Sequence, residues 1–187
     1  EQGRVYTFPH RTFQEYLAAC YLADDRYELY ERLREDDERW REAMLLAAAK
    51  AVGGSANAIW DWVATFCPTD QPPEVPRRAD WYAALRVAQA LVETELYQRV
   101  PERQKHLRTR LQTWLTALLE TEKNPLPAPE RAAAGRTLAR LGDPRPGVGL
   151  YALPSGVGEA PGMEVPDLVW CRVPAGSFVM GSAMEEG

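Results

Sequence analysis

Val5-Tyr6-Thr7-Phe8-Pro9-His10-Arg11-Thr12-Phe13-Gln14-Glu15-Tyr16-Leu17-Ala18-Ala19 is the stretch in which this sequence passes from extended to helical chain. Val5, Tyr6, Thr7 and Phe8 are β-branched or aromatic, and Pro9 has no N–H for a ladder, so the pattern predicts a short strand ending there. Thr12 with Glu15 three residues on has the spacing of a capping box, the hydroxyl taking the Glu15 N–H and the carboxylate reaching back. A helix is therefore predicted from about Phe13. Phe13, Tyr16, Leu17, Cys20 and Tyr21 recur at intervals of three and four residues, the stripe of an amphipathic helix with one buried face. His10 falls just outside that helix, beside the partial positive charge and unpaired N–H groups of its first turn, where an anion such as a phosphate is favoured. The same position suits a histidine that only ties a strand end to a helix start.

Downstream, the pattern is helical almost throughout. From Asp24 to Arg39 charges of both signs alternate, which predicts a short exposed helix and a turn. Trp40, Ala43, Met44, Ala47, Ala48, Ala51 and Val52 resume helical spacing, and Gly53-Gly54 supplies a stop. Ser55 is placed to cap a helix carrying Ile59, Trp60, Val63 and Phe66, which Pro68 ends, and the proline-rich run to Pro76 reads as a loop. Asp80 is placed to cap the next, with Trp81, Ala84, Leu85, Ala88, Leu91, Val92 and Leu96 on one broad face. Leu107, Leu111, Trp114, Leu115, Leu118 and Leu119 make a further face after Pro101, and a last alanine-rich helix runs from about Pro129 to Leu141, closed by Gly142. Trp40, Trp81, Trp114 and Leu118 are expected to be buried. Helices in succession, each apolar on one side, predict a mainly α chain: a helical bundle or HEAT-like α-solenoid with a short β piece at each end. No strict repeat period is present.

Composition narrows the function classes. The chain has 187 residues, 45% hydrophobic and 26% charged, which is ordinary for a globular protein. Charges interrupt every apolar run well short of the roughly 20 residues a membrane span requires, so no membrane partner is expected. The polar opening Glu1-Gln2-Gly3-Arg4 does not have the form of a secretory signal. Cys20, Cys67 and Cys171 stand far apart with only two histidines, which argues against zinc and against a disulfide framework and points to a reducing cytoplasm. A formal net charge of −5 and a pI near 5.2 argue against nucleic acid as a direct partner. The local basic run Arg99, Arg103, Lys105, His106, Arg108 and Arg110 has no aromatic residues interleaved to stack bases, so it reads as a solvated helix face.

Two motifs carry resemblances. Phe8-Pro9-His10-Arg11-Thr12-Phe13-Gln14-Glu15-Tyr16-Leu17-Ala18-Ala19 resembles the F-x-H-x-x-F-Q-E-[FY]-x-A-A motif that closes the winged-helix domain of NACHT-type STAND NTPases. The resemblance implies that His10 is a nucleotide-sensing residue lying against the phosphates of bound ADP and helping to hold the resting state. Near the other end, Asp167–Val173 and Ser177–Gly181 are predicted to be strands joined by a Pro174-Ala175-Gly176 turn. Val173-Pro174-Ala175-Gly176-Ser177-Phe178-Val179-Met180-Gly181-Ser182 resembles the opening [VI]-P-A-G-x-F-x-M-G-S of the formylglycine-generating-enzyme, or sulfatase-modifying-factor, fold. That family's late cysteine pair and copper site have no counterpart among these residues.

The expected organisation is the end of a winged-helix domain at residues 1–23, a helical arm at 24–146, a linker at 147–166 and the first strands of a formylglycine-generating-enzyme-like module at 167–187. The linker follows from Pro144-Arg145-Pro146-Gly147-Val148-Gly149 and Pro154-Ser155-Gly156-Val157-Gly158, whose glycines lack the Lys-Ser/Thr of a phosphate loop. The chain reads as a piece of a longer protein, a bacterial fusion of NACHT NTPase, helical arm and sensor head. The resemblances then imply the regulatory and sensor-coupling segment of a STAND signalling ATPase acting in antiviral defence, without catalysis of its own. Its expected partners are the upstream NACHT domain and the downstream sensor module, with oligomerisation on activation. No cofactor is expected within these residues, and ADP or ATP with Mg is expected in the whole protein. The alternative is an accessory helical region of a formylglycine-generating-type oxidative enzyme. No Ser/His/Asp or Cys/His set and no recognisable acid/base carboxylate pair is present.

Overall fold

The structure, a computed structural model, describes residues 8, 10–121, 126–148, 150–152, 164–166, 168, 172 and 175–177. The chain divides into two compact units, Glu1–Arg145 and Pro146–Gly187. The first is helical. Among its described residues are α1 (Arg11–Leu22), α2 (Arg26–Glu35), α3 (Asp37–Gly54), α4 (Ala58–Phe66), α5 (Arg78–Glu93), α6 (Lys105–Glu120) and α7 (Ala128–Leu141), with single 3₁₀ turns at Leu96–Gln98 and Glu102–Gln104. The predicted mainly α class holds.

α5 is the centre of the helical unit and packs against α2, α3, α4, α6 and α7. Its sequence explains why: Trp81, Tyr82, Ala83, Ala84, Leu85, Val87, Ala88, Ala90 and Leu91 are all buried, so it is apolar around nearly its whole circumference rather than on the one face its spacing predicts. A helix of that kind has to be surrounded. In a solenoid each repeat touches only its neighbours. Here α5 touches α2, α3 and α4 before it and α6 and α7 after it, which suits a helical bundle and a solenoid of helix pairs alike. Trp81 meets Trp114 of α6 edge to face at 6.1 Å, and Trp114, Leu111, Leu115 and Leu118 fill the same core. Trp81, Trp114 and Leu118 are buried as expected, whereas Trp40 is only partly so.

The helix ends have local causes. The Asp25 carboxylate accepts the Glu28 N–H at 3.0 Å and that of Asp36 accepts the Arg39 N–H at 3.1 Å, which starts α2 and α3 inside the charged run. α2 is not simply an exposed helix: Leu29 and Leu33, one turn apart among the charges, are fully buried. Asp80 does not stand at the α5 N-cap but three residues in, reaching back to the Arg77 N–H at 2.9 Å. α7 stops at Gly142, whose φ of +88° only glycine adopts readily.

The basic run is not a uniformly solvated face. The Arg108 guanidinium donates to the Leu141 carbonyl at 2.6 and 3.0 Å, and Gln112 donates to the carbonyls of Leu141 and Gly142, so α6 caps the C-terminus of α7. Arg110 pairs with Asp70 at 2.7 Å and donates to the Cys67 carbonyl at 3.2 Å, and the Trp114 indole N–H donates to the Thr69 carbonyl at 2.8 Å. These bonds fasten the proline-rich loop to α6.

In the second unit, β1 (Leu150–Ala152) pairs antiparallel with β2 (Glu164–Pro166), Tyr151 standing opposite Val165. This pair lies within the stretch whose prolines and glycines read as linker. The predicted strand at Val5–Phe8, apart from Phe8 itself, and the two predicted at 167–173 and 177–181, apart from residues 168, 172 and 177, lie outside the described residues.

Candidate functional site

The sequence singles out one functional side chain, His10, and its surroundings begin with how α1 starts. His10 is the N-cap residue, extended at φ −134° and ψ 138°, and its carbonyl accepts the Phe13 N–H at 3.2 Å. The predicted Thr12/Glu15 capping box does not form. The helix begins earlier, at Arg11, so Thr12 sits inside the first turn instead of at the extended position a cap needs. The Glu15 carboxylate is taken by Arg11, whose Nε lies 2.7 Å away. Among the described residues no side chain caps α1, so the positive end of its dipole lies beside an exposed imidazole. The ring rests against Phe13 with centroids 6.0 Å apart.

The stripe that was expected to be buried points outward. Phe13, Tyr16, Leu17 and Tyr21 are 57%, 55%, 50% and 82% exposed. The side of α1 that meets α3 carries Ala19 and Leu22, with Ala23 just beyond, buried in the same cluster as Met44, Ala47 and Ala48. Small side chains on both helices let the backbones approach closely, and the large residues of α1 are left on the far side. Lys50 of α3 reaches across to the Cys20 carbonyl at 3.1 Å. The neighbouring Cys20 thiol holds the Tyr16 phenol above its ordinary pKa.

Beside α1 lies an open groove of about 380 Å³, with Ala18, Trp40 and Ala43 as its apolar floor and Arg11, Glu15 and Arg39 among the charges on its rim. Arg32 and Arg39 both stand over the Trp40 ring, at 5.8 and 5.9 Å from its centroid.

One charged cluster was not legible in the sequence. Arg86, only 3% exposed on α5, grips the Asp37 carboxylate with two bonds of 3.0 and 2.6 Å, donates to the Gln89 side chain at 3.0 Å, and has Glu130 of α7 at 3.9 Å. Burial pushes the Asp37 carboxyl above its usual range, and the Arg86 bonds oppose that rise. The cluster joins α3, α5 and α7 and is a brace. Cys67, also fully buried, has its thiol pKa raised by burial and is inert.

Among the described residues no group of three or more His, Cys, Asp or Glu is placed to hold a metal, and no helix is long and apolar enough to cross a membrane. No family model matches the chain, and no curated protein or solved structure matches it either. The class defined by the fold is a mainly helical bundle or solenoid, and the site adds to it a solvent-facing histidine at the start of α1.

Proposed function

We propose that this chain is the regulatory and sensor-coupling segment of a NACHT-type STAND signalling ATPase, working in the cytoplasm in antiviral defence and performing no catalysis itself. One observation carries the reading: the motif residue His10 stands exposed at the N-terminus of α1, where among the described residues no side chain caps the helix. That combination suits a ring that donates a hydrogen bond to a phosphate of ADP held by the NACHT domain upstream, with Mg accompanying ATP in the active state. α1 is packed onto α3 of the bundle. A change at the nucleotide would therefore be passed to the helical arm, and through it to the sensor module downstream.

The test uses the whole protein with its nucleotide-binding loops. A hydrogen bond to a charged phosphate contributes roughly 1.5–3 kcal/mol, so His10→Ala should speed ADP release about tenfold or more. Its melting temperature without nucleotide should stay the same, because the ring is exposed. Unaltered ADP release together with a lowered melting temperature would leave His10 a purely structural residue and remove the basis of the proposal.

A further inference from the structure

Between α5 and α7 lies a groove of about 690 Å³, with Val92 and Ala133 on its apolar surface. Its charges divide by helix. Glu93, at the end of α5, and Glu95, in the turn after it, line one side, and Arg136 and Arg140, one turn apart on α7, line the other. None of these four side chains makes a hydrogen bond or an ion pair with a described residue, not even with its counterpart across the groove. Thr137 of α7 lines the same groove and is only 7% exposed, yet its hydroxyl has no partner among the described residues. By contrast, Thr65, Thr94, Thr113 and Thr121 each donate to the carbonyl four residues back. A buried side-chain hydroxyl of this kind calls for a partner from outside the chain. Glu95 has a φ of +58°, in the left-handed region, just past the α5 C-cap, where glycine is the usual residue. Backbone strain of that sort gathers at binding sites. Burial pushes the Glu93 carboxyl above its usual range, with Glu42 adding to the rise and Arg41 opposing it, so this carboxylate is short of a cation.

We propose that this groove binds a small zwitterion, a molecule with one free amine and one carboxylate such as an amino acid or a dipeptide. Its carboxylate is held by Arg136 and Arg140, its amine by Glu93 and Glu95, and one of its polar atoms by the Thr137 hydroxyl. The charge pattern selects this class. A simple anion would meet the two carboxylates and a simple cation the two guanidinium groups, while an apolar molecule would strip water from all four charges without replacing its hydrogen bonds. One amine with one carboxylate keeps the groove neutral and gives each wall its counter-charge. The planar guanidinium fork matches a carboxylate in particular. The volume falls within the roughly 300–1,000 Å³ of small-molecule sites. The groove involves neither His10 nor α1, so the inference is independent of the ATPase reading, and it gives the helical unit a ligand of its own.

Free amino acids and dipeptides, offered at millimolar concentration to the 187-residue chain and followed by ligand-observed NMR and thermal shift, are the probes that test it. At least one is expected to bind, and blocking either end, as the N-acetyl or the methyl-ester form, should weaken it about tenfold or more. Arg136→Gln should weaken it to a similar degree. Two further variants separate binding from folding. Thr137→Val keeps the shape and removes an unpartnered hydroxyl, and Glu95→Gly relieves the left-handed backbone, so neither should lower the melting temperature of the unliganded chain. Each should nonetheless weaken the probe several-fold. A set of probes of which none binds, a probe that binds equally well with one end blocked, or variants that bind it as the unmodified chain does would overturn the proposal. If Thr137→Val impairs folding, Glu95→Gly and Arg136→Gln, both at exposed residues, decide alone.

Discussion

α5 and α1 are both rich in alanine and aromatic residues, yet α5 buries Trp81, Tyr82, Leu85, Val87 and Leu91 among others, while α1 buries only Ala19 and Leu22. Both carry an apolar stripe at helical spacing. In α5 the stripe is one sector of a circumference that is apolar almost all round, so neighbours enclose it. In α1 there are two apolar sides, a small one and a large one, and α3 takes the small one. A periodic stripe therefore shows that a helix has something to cover, and side-chain size decides which side the fold covers itself.

The largest effect that would sharpen this contrast is expected at the α5–α6 contact. Trp114→Ala should destabilise the chain by about 3–5 kcal/mol in chemical denaturation, because it opens a cavity against Trp81 and leaves the Thr69 carbonyl without its indole donor.

Arg86→Met should cost a similar 3–5 kcal/mol at neutral pH, since Asp37 would be left buried without its counter-charge. The sign of its pH dependence follows from burial, which raises the Asp37 carboxyl. A carboxyl with a folded pKa above its unfolded value binds the extra proton in the folded state, so stability falls as pH rises through that interval. The deficit should accordingly shrink when the variant is unfolded at acidic pH.

A smaller loss is expected at the end of α7. Gly142→Ala forces a side chain onto a φ of +88° and brings its Cβ within 3.2 Å of the Arg108 guanidinium, so about 1–3 kcal/mol should be lost, read from the denaturation midpoint.

Much of the bundle was legible because helix boundaries are written locally. Gly53-Gly54, Pro68 and Gly142 sit within one or two residues of observed helix ends. What was missed depends on residues distant in sequence. Leu29 and Leu33 are hidden within a charged run and make sense only once α3, α4 and α5 cover them. Arg86 went unremarked in the sequence because its partner Asp37 lies 49 residues away. An isolated arginine at a core position is itself the signal that a buried acid must stand somewhere else. At the candidate site, the position of His10 at a helix start was readable, but the capping box was not a safe inference: Arg11 offered Glu15 a competing partner one turn away.

α1 presents its large residues to solvent while α5 and α6 hold the core, and one denaturation experiment on dilute protein compares the two. Leu17→Ala is expected to leave the unfolding free energy within about 0.5 kcal/mol of the unmodified chain, as surface changes usually do, under conditions in which Trp114→Ala loses several times more. A loss at Leu17 as large as that at Trp114 would place the stripe in the interior and contradict the outward face of α1.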